Sequence, residues 1–378
     1  MTARSPLSVY VHVPFCRVHC PYCDFYTYPS ERGRSQEFID AIEKEISLAR
    51  NRLAPERFEI STVYLGGGTP STLTPEQMER ILTSLHTEFS FCHDPEITLE
   101  ANPEDVTSDI LKRWSAIGVN RISLGVQSRL SAVLQFLGRV HTSSDVDRAL
   151  DAVSRFPNWS VDLMFGWEGH TLDQWSRELT EILKYGPSHV SLYQLTLEPQ
   201  TRFGVLAVQG KVSLTDSDRQ ADLYRTAVEL LASVSIDLYE VSNFALQGFE
   251  SRHNQAYWSR LPYLGLGPAA ASFLWSRRTL NVKSLPKYVR LLHSSCSVVS
   301  SVEVLTPEVE QRERIWLKLR TSCGVPKHWF SAQSATLINR MVEEGFMKAL
   351  SDDRIGLTTN GMAIADEVTR RLLLTDPG

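Results

Sequence analysis

Ser8-Val9-Tyr10-Val11-His12-Val13-Pro14-Phe15 reads as a β-strand, and Cys16-Arg17-Val18-His19-Cys20-Pro21-Tyr22-Cys23-Asp24-Phe25 follows it without a break. A strand that ends in cysteines spaced C-x3-C-x2-C places three soft ligands on one short loop. Such a loop can wrap around a soft metal or an iron–sulfur cluster. Cubane clusters usually take four cysteines, so three would leave one iron without a protein ligand and open to a small molecule. Zinc is the rival, with His12 or His19 as a fourth ligand, although the paired x2 spacings of zinc sites are absent. Thiols that are neighbours by chance are the third reading.

Working outward, the first half of the chain alternates. Apolar, β-rich runs recur at Ser8–Phe15, Thr62–Leu65, Glu96–Glu100, Arg121–Val126, Ser160–Phe165 and His189–Thr196. Helical periodicity fills the intervals: Phe38, Ile42, Ile46, Ala49 and Leu53 form one stripe. Gln77–Leu85 forms a second, introduced by Thr74-Pro75-Glu76. Ile110, Trp114 and Ile117 mark a third, and further helices are expected over Ser144–Phe156, Leu172–Tyr185 and Ser217–Val234. Strands alternating with helices imply parallel strands and right-handed crossovers. Six units are too many for half of a dinucleotide fold and too few for a closed eight-stranded barrel. The expectation is an α/β protein built on a partial, open six-stranded (β/α) barrel.

Barrel chemistry sits at the C-terminal ends of strands, and the unusual residues fall there. They are the cysteines, then Gly66-Gly67-Gly68-Thr69-Pro70-Ser71, then Glu100, Asn102 and Pro103. Gln127 and Ser128, Asp162 and Gly166, and Tyr193, Gln194, Thr196 and Glu198 complete the series. Six strand ends carrying chemistry in register argue for one functional rim.

Past residue 235 the rhythm changes. Tyr239–Ala245 reads as one more strand and turn, leading into His253-Asn254-Gln255-Ala256-Tyr257-Trp258. The apolar run Tyr263–Trp275 is too short to cross a bilayer; it is expected to pack inside, with a membrane surface or an apolar ligand as the alternative. Helices over Pro307–Arg320 and Ser331–Glu344, a hairpin, and a helix from Asn360 to Leu373 suggest a smaller C-terminal α+β module of winged-helix type. The expected divisions are 1–235, 236–300 and 301–378.

The 378 residues are 42% hydrophobic and 22% charged, with a net charge of −5, which suits a globular protein with ample core. That charge argues against broad nucleic-acid binding, so no nucleic-acid partner is expected. Six cysteines in a chain this long, three of them clustered, point to a reducing compartment rather than a disulfide framework. Met1-Thr2-Ala3-Arg4-Ser5-Pro6 has no apolar core of signal-peptide type, so a cytoplasmic location is expected.

Each remaining motif has a plain rival. The Gly66-Gly67-Gly68 turn allows close backbone approach to a ligand, or is simply a tight βα turn; it matches neither a phosphate loop nor a dinucleotide fingerprint. Leu137-Gly138-Arg139-Val140-His141, read as opening the helix after the fourth strand, offers Arg139 as a fork for a carboxylate, or as a surface arginine. Glu100 and Asp162 could take hydroxyls or an amine, or cap neighbouring helices. His253 could be an axial haem ligand, or a histidine packed among aromatics.

These motifs together resemble the radical S-adenosylmethionine (SAM) superfamily, and within it the HemW-type haem chaperones, relatives of oxygen-independent coproporphyrinogen III oxidase (HemN). The resemblance covers nearly the whole chain. It rests on Cys16-x3-Cys20-Pro21-Tyr22-Cys23-Asp24-Phe25, Gly66–Ser71, Arg121–Gln127, Leu137–His141, Ser191–Thr196 and His253-Asn254-x-x-Tyr257-Trp258. It implies a partial barrel of radical SAM type carrying a [4Fe–4S] cluster on Cys16, Cys20 and Cys23. SAM would chelate the open iron. Tyr10 would lie beside the cluster, with Gly67, Gly68, Thr69 and Glu100 at the methionine amine. Arg139 would meet the carboxylate, Gln127 and Asp162 the ribose, and His253 the haem iron. The implied partners are haem and acceptor haemoproteins of membrane respiratory enzymes; a peripheral membrane contact and a homodimer are both compatible with the sequence. The alternative is oxidative decarboxylation of porphyrinogen propionates, but Asp24-Phe25 stand where the oxidases carry a further cysteine, and only fifteen residues precede Cys16 where they carry a longer arm. A winged-helix regulator is the weaker third reading.

Overall fold

The computed structural model describes residues 4–30, 33–53 and 55–375. Met1, Thr2 and Ala3, part of the stretch read above for a targeting signal, lie outside the described residues. In chain order the strand–helix series runs β1 (Ser5–Val13), α1 (Ser35–Leu53), β2 (Phe58–Gly67), α2 (Pro75–Glu88), β3 (Phe91–Ala101), α3 (Ser108–Ala116) and β4 (Arg121–Gln127). It continues through α4 (Ser131–Phe136), α5 (Ser143–Val153), β5 (Trp159–Phe165), α6 (Leu172–Leu183) and β6 (His189–Gln194). Then come α7 (Arg202–Val208), α8 (Ser217–Ala232), β7 (Asp237–Glu240), β8 (Asn243–Ala245), α9 (Arg252–Trp258), β9 (Tyr263–Leu266), β10 (Ala271–Leu274), β11 (Arg277–Asn281), α10 (Leu285–His293) and β12 (Val299–Val304). The C-terminal part holds α11 (Pro307–Lys318), β13 (Val325–Pro326), α12 (Ala332–Glu343), β14 (Met347–Ala349), β15 (Arg354–Leu357), α13 (Thr359–Ala363) and α14 (Ala365–Thr375).

The chain forms two compact units from interleaved segments: 1–162, 196–212 and 261–304 in the first, 163–195, 213–260 and 305–378 in the second. In the first, the strand order is β12-β11-β10-β9-β1-β2-β3-β4, followed by the opening residues 159–162 of β5. Strands β1 to β4 are parallel, with Tyr10 beside Tyr64, Leu65 beside Leu99 and Glu100 beside Ser123. Strand β9 joins the other side of β1, also parallel, which the sequence reading did not anticipate.

Side chains alternate across a sheet, and here the alternation separates two chemistries. Val9, Val11, Val13, Val63, Leu65, Leu99, Leu124 and Val126 are fully buried on one face. The register places Tyr10, His12, Tyr64, Thr98, Glu100 and Ser123 on the other. The apolar face needs cover, and amphipathic helices supply it. Helix α1 buries Phe38, Ile39, Ile42, Ile46, Ala49 and Leu53; each of the larger side chains, Phe, Ile or Leu, contributes about 1.5–3 kcal/mol on leaving water, before entropy is counted. Helices α2, α5 and α6 each begin with a reciprocal capping box, Thr74 with Gln77, Thr142 with Asp145 and Thr171 with Gln174, which satisfies end groups that would otherwise lack partners.

In the second unit β6 and β8 pair antiparallel, and β8 pairs antiparallel with β7. The single strand expected at Tyr239–Ala245 is therefore a hairpin of two short strands. The C-terminal segment forms the small sheet β13-β15-β14 with α11, α12, α13 and α14. The helix expected from Asn360 to Leu373 is broken at Ile364, whose φ of −127° and ψ of 34° leave the helical region. The third stripe also differs: Leu111 and Trp114 are buried in α3, whereas Ile110 and Ile117 are half-exposed. Of the Tyr263–Trp275 run, Leu264, Leu266 and Ala270 pack inside while Trp275 is 56% exposed. Among the described residues no helix is long and apolar enough to cross a membrane.

Candidate functional site

The C-terminal ends of β1, β2 and β3 meet in one place because their backbones are fastened there. Gly68 N–H donates to the Val13 carbonyl at 2.8 Å, and Thr69 N–H to the Phe15 carbonyl at 2.7 Å. A Cβ on Gly68 would lie 2.7 Å from the Phe15 carbonyl oxygen and 2.8 Å from the Pro14 carbonyl carbon. Only glycine allows the turn after β2 to sit against the exit of β1. The cysteine loop is pinned on its far side: Phe203 N–H donates to the Pro21 carbonyl at 2.8 Å, and the Phe203 ring packs on Tyr22 and Phe136.

Cys16, Cys20 and Cys23 are all free thiols. They line one pocket together with Gly67, Gly68, Thr69, Asn102, Glu104 and Arg139. The Thr69 hydroxyl donates to Cys16 Sγ at 3.5 Å, and Arg139 Nη1 to Cys20 Sγ at 3.6 Å. Burial pushes the Cys23 thiol up to about 11 and raises Cys16 as well, so thiolates form here only against a compensating positive charge. Among the described residues no three His, Cys, Asp or Glu side chains gather as ligands of a single metal ion. The donor chemistry fits a cubane cluster, whose thiolates bind separate iron atoms: three reduced cysteines share one wall, with a cation and a hydroxyl directed at the sulfur. His12 is spoken for, since Nε2 donates to the Tyr26 carbonyl at 2.9 Å, leaving Nδ1 to accept from the Tyr10 hydroxyl at 3.0 Å. That removes His12 as a fourth zinc ligand. His19 Nδ1 pairs with the Thr27 hydroxyl at 2.9 Å.

Glu100 stands at the end of β3. Its carboxylate accepts from the Tyr64 hydroxyl at 2.8 Å and from Gly67 N–H at 3.1 Å. Burial, helped by the nearby charge of Asp162, pushes this carboxyl up to about 7. Tyr10 stacks against Tyr64, ring centroids 6.2 Å apart. Gln127 ends β4 in a left-handed conformation, φ 65°, costly for a residue with a Cβ. Asp162 accepts from the Ser123 hydroxyl at 2.9 Å and the Ser160 hydroxyl at 3.3 Å. Arg139 lies in a turn after the short helix α4 rather than opening a helix, because Gly138 takes φ 66° and breaks the run. The first unit thus brings the three cysteines, the glycine turn, Thr69 and Arg139 to one pocket, and Glu100 is tied to that turn through Gly67. Tyr10 and Asp162 share the polar face.

The sequence reading missed the network behind Arg139. Arg139 Nη2 donates to Asn102 Oδ1 at 2.6 Å, and Asn102 Nδ2 donates to Glu104 Oε1 at 3.2 Å. His141 Nδ1 meets Glu104 Oε2 at 3.2 Å, and Arg17 reaches Glu104 at 3.4 Å. Burial opposes ionisation of Glu104, but the bond to His141, a backbone N–H and the nearby charges of His141 and Arg139 together outweigh it and hold the carboxyl below its usual range. The acid-rich turn Pro103–Asp105 directly after a strand was the available signal.

His253 belongs to the second unit. It is buried near the start of α9, its Nε2 3.0 Å from the Tyr257 hydroxyl and the two rings edge-to-face at 4.8 Å.

Comparison with known proteins adds a family match: the radical SAM superfamily matches residues 10–182. "Heme chaperone HemW" of Bacillus subtilis is 32% identical over 373 residues, covering 96% of this chain and 97% of that protein. The protein of the same name from Lactococcus lactis is 32% identical, covering 99% of each chain. Among solved structures, the coproporphyrinogen III oxidase HemN of Escherichia coli superimposes with a TM-score of 0.82 over 97% of this chain and 90% of its own. At 22% identity that likeness concerns the fold alone.

Proposed function

The chain belongs to the HemW family of the radical SAM superfamily, and on that premise we propose that it is a haem chaperone: it binds haem and passes it to acceptor haemoproteins, carrying a [4Fe–4S] cluster and SAM. The observation that carries the cofactor part is the pocket in which Cys16, Cys20 and Cys23 share a wall with Thr69 and Arg139. The three thiolates would hold the cluster and leave one iron for SAM. Gly67, Gly68 and Glu100 would receive its amine, Arg139 its carboxylate, Gln127 and Asp162 its ribose, and Tyr10 would flank the centre. When bound, the pair supplies one-electron reductive chemistry.

What this chain's residues contribute is orientation. Glu100 is held by Tyr64 and Gly67, so its oxygens keep one direction. Arg139 is held by Asn102. His253 is the proposed haem ligand, and ligation through Nε2 requires it to leave Tyr257. That hydrogen bond contributes about 0.5–1.5 kcal/mol net, and since His253 is only 1% exposed, haem would also have to uncover the ring. Membrane respiratory haemoproteins are the proposed acceptors and the cytoplasm the proposed location.

The test is an anaerobic haem titration followed by absorbance, with wild type beside His253→Ala. Stoichiometric binding, weakened at least about tenfold in the variant, is expected if the axial bond contributes 1.4 kcal/mol or more. Equal binding by both would remove His253 from the site, and no binding by wild type would overturn the chaperone reading. Incubation with coproporphyrinogen, SAM and a reductant is expected to give no decarboxylated product; robust turnover would restore the oxidase alternative.

A further inference from the structure

Arg139 is a deeply buried guanidinium that forms no ion pair with a carboxylate among the described residues. Its Nη2 donates to Asn102 Oδ1 at 2.6 Å and to the Gly125 carbonyl at 3.4 Å, and its Nη1 to Cys20 Sγ at 3.6 Å. The Tyr22 phenol also lies against it. Of these acceptors the sulfur is the one that would ligate the cluster. The charge of Glu104 lies nearby without pairing directly with it, and the donation from Nη1 is aimed at a cysteine. Thr69 repeats the pattern on Cys16, its hydroxyl donating to Sγ at 3.5 Å.

The hold on Arg139 is itself built. Asn102 N–H donates to the Ser71 hydroxyl at 3.3 Å, and Asn102 Nδ2 donates to Glu104. With the amide nitrogen committed to a carboxylate, Oδ1 is left facing the guanidinium. Gly138, one residue earlier, packs so closely on the cysteine loop that a Cβ would lie 2.7 Å from the Pro21 ring. The turn bearing Arg139 therefore packs directly against the loop bearing Cys20.

We propose that Thr69 and Arg139 set the reduction potential of the iron–sulfur centre by donating to its cysteine sulfurs, and that Asn102 is the positioning residue that keeps Arg139 on Cys20. The inference rests on the cluster reading above. A donor to a ligating sulfur draws charge from it and favours the more negative, reduced cluster, so it raises the potential. The effect is strong where water is excluded and weak where water competes.

The experiment is an anaerobic potentiometric titration, read by electron paramagnetic resonance, of reconstituted wild type, Thr69→Val, Thr69→Ser and Asn102→Ala. Iron and sulfide are assayed in each, and melting curves of the apoproteins confirm folding. Thr69→Val is nearly isosteric and loses only the donor; it is expected to titrate at a more negative potential than wild type. Thr69→Ser keeps the hydroxyl and is expected to restore the wild-type value. Asn102→Ala is expected to shift in the same direction as Thr69→Val, with Asn102→Ser as the alternative should the alanine variant not fold. Fully loaded Thr69→Val and Asn102 variants at the wild-type potential would overturn the inference while leaving the cluster reading intact. A wild type that assembles no four-iron centre would overturn both.

Discussion

Glu45 sits on the buried stripe of α1 and accepts hydrogen bonds from Gly267 N–H at 2.8 Å, Asn281 Nδ2 at 2.7 Å and the Tyr288 hydroxyl at 2.5 Å. Burial nevertheless pushes its carboxyl up to about 7, from 4.5. The folded state thus binds the proton more tightly than the unfolded chain. Glu45's contribution is fully favourable below pH 4.5 and is lost as pH rises through about 7. At about 1.4 kcal/mol per pKa unit, the apoprotein should lose roughly 3 kcal/mol more than Glu45→Gln does between pH 4 and pH 8. Urea denaturation of both proteins across that range checks it; parallel curves would refute it. Burial lowers His170 to about 4, which adds stability as pH rises, so the difference between proteins rather than the raw slope is the quantity to read. No periodicity rule singles out Glu45, because a carboxylate inside an apolar stripe looks like an error in the stripe until its three donors are seen.

Among the elements, the turn after β2 does the most for the pocket. Gly68→Ala would drive a methyl group into the backbone of Pro14 and Phe15, where no side chain can yield. The turn must lift away from the cysteine loop, taking Thr69 with it. Iron incorporation on reconstitution should fall severalfold, with a stability loss of about 1–3 kcal/mol visible as a lower melting temperature of the apoprotein. Unchanged iron content would show that the turn and the loop are independent. Strand and helix positions in this half were legible because each strand has a continuous apolar face. The polar face was not, since Tyr64, Thr98, Ser123 and Ser160 look like ordinary strand residues until the register puts them side by side. The cysteines, Gly66–Thr69 and Glu100 stood out as strand-end motifs, and Arg139 as part of the motif Leu137–His141. The hold of Asn102 on Arg139, and of Glu104 on Arg17 and His141, joins distant parts of the chain and leaves no local pattern.

For the molecule as a whole, β12 closes one end of the first unit's sheet, and Ser300–Val304 are exposed along it, Val302 at 58% and Val304 at 65%. The strand has no proline or lysine, Glu303 is occupied by Arg278 at 2.8 Å, and its register irregularity lies at Ser300, away from Val302 and Val304, so these two valines are weakly guarded against edge pairing. Val302→Lys should slow concentration-dependent aggregation, read by light scattering, without lowering the melting temperature; equal aggregation rates would show the edge to be harmless. The change of rhythm past residue 235 is visible in sequence, but the interleaving of the two units is not, because contacts rather than composition define it. Each unit takes three separate stretches of chain, and the first is complete only at residue 304. On the ribosome, at about 5–20 residues per second, roughly 15–60 s pass before either core can close. For that interval the nascent strands β1 to β5 lack part of their cover. Chains stalled short of residue 304 should be digested readily by protease, and the first unit should become resistant only once that residue has cleared the exit tunnel.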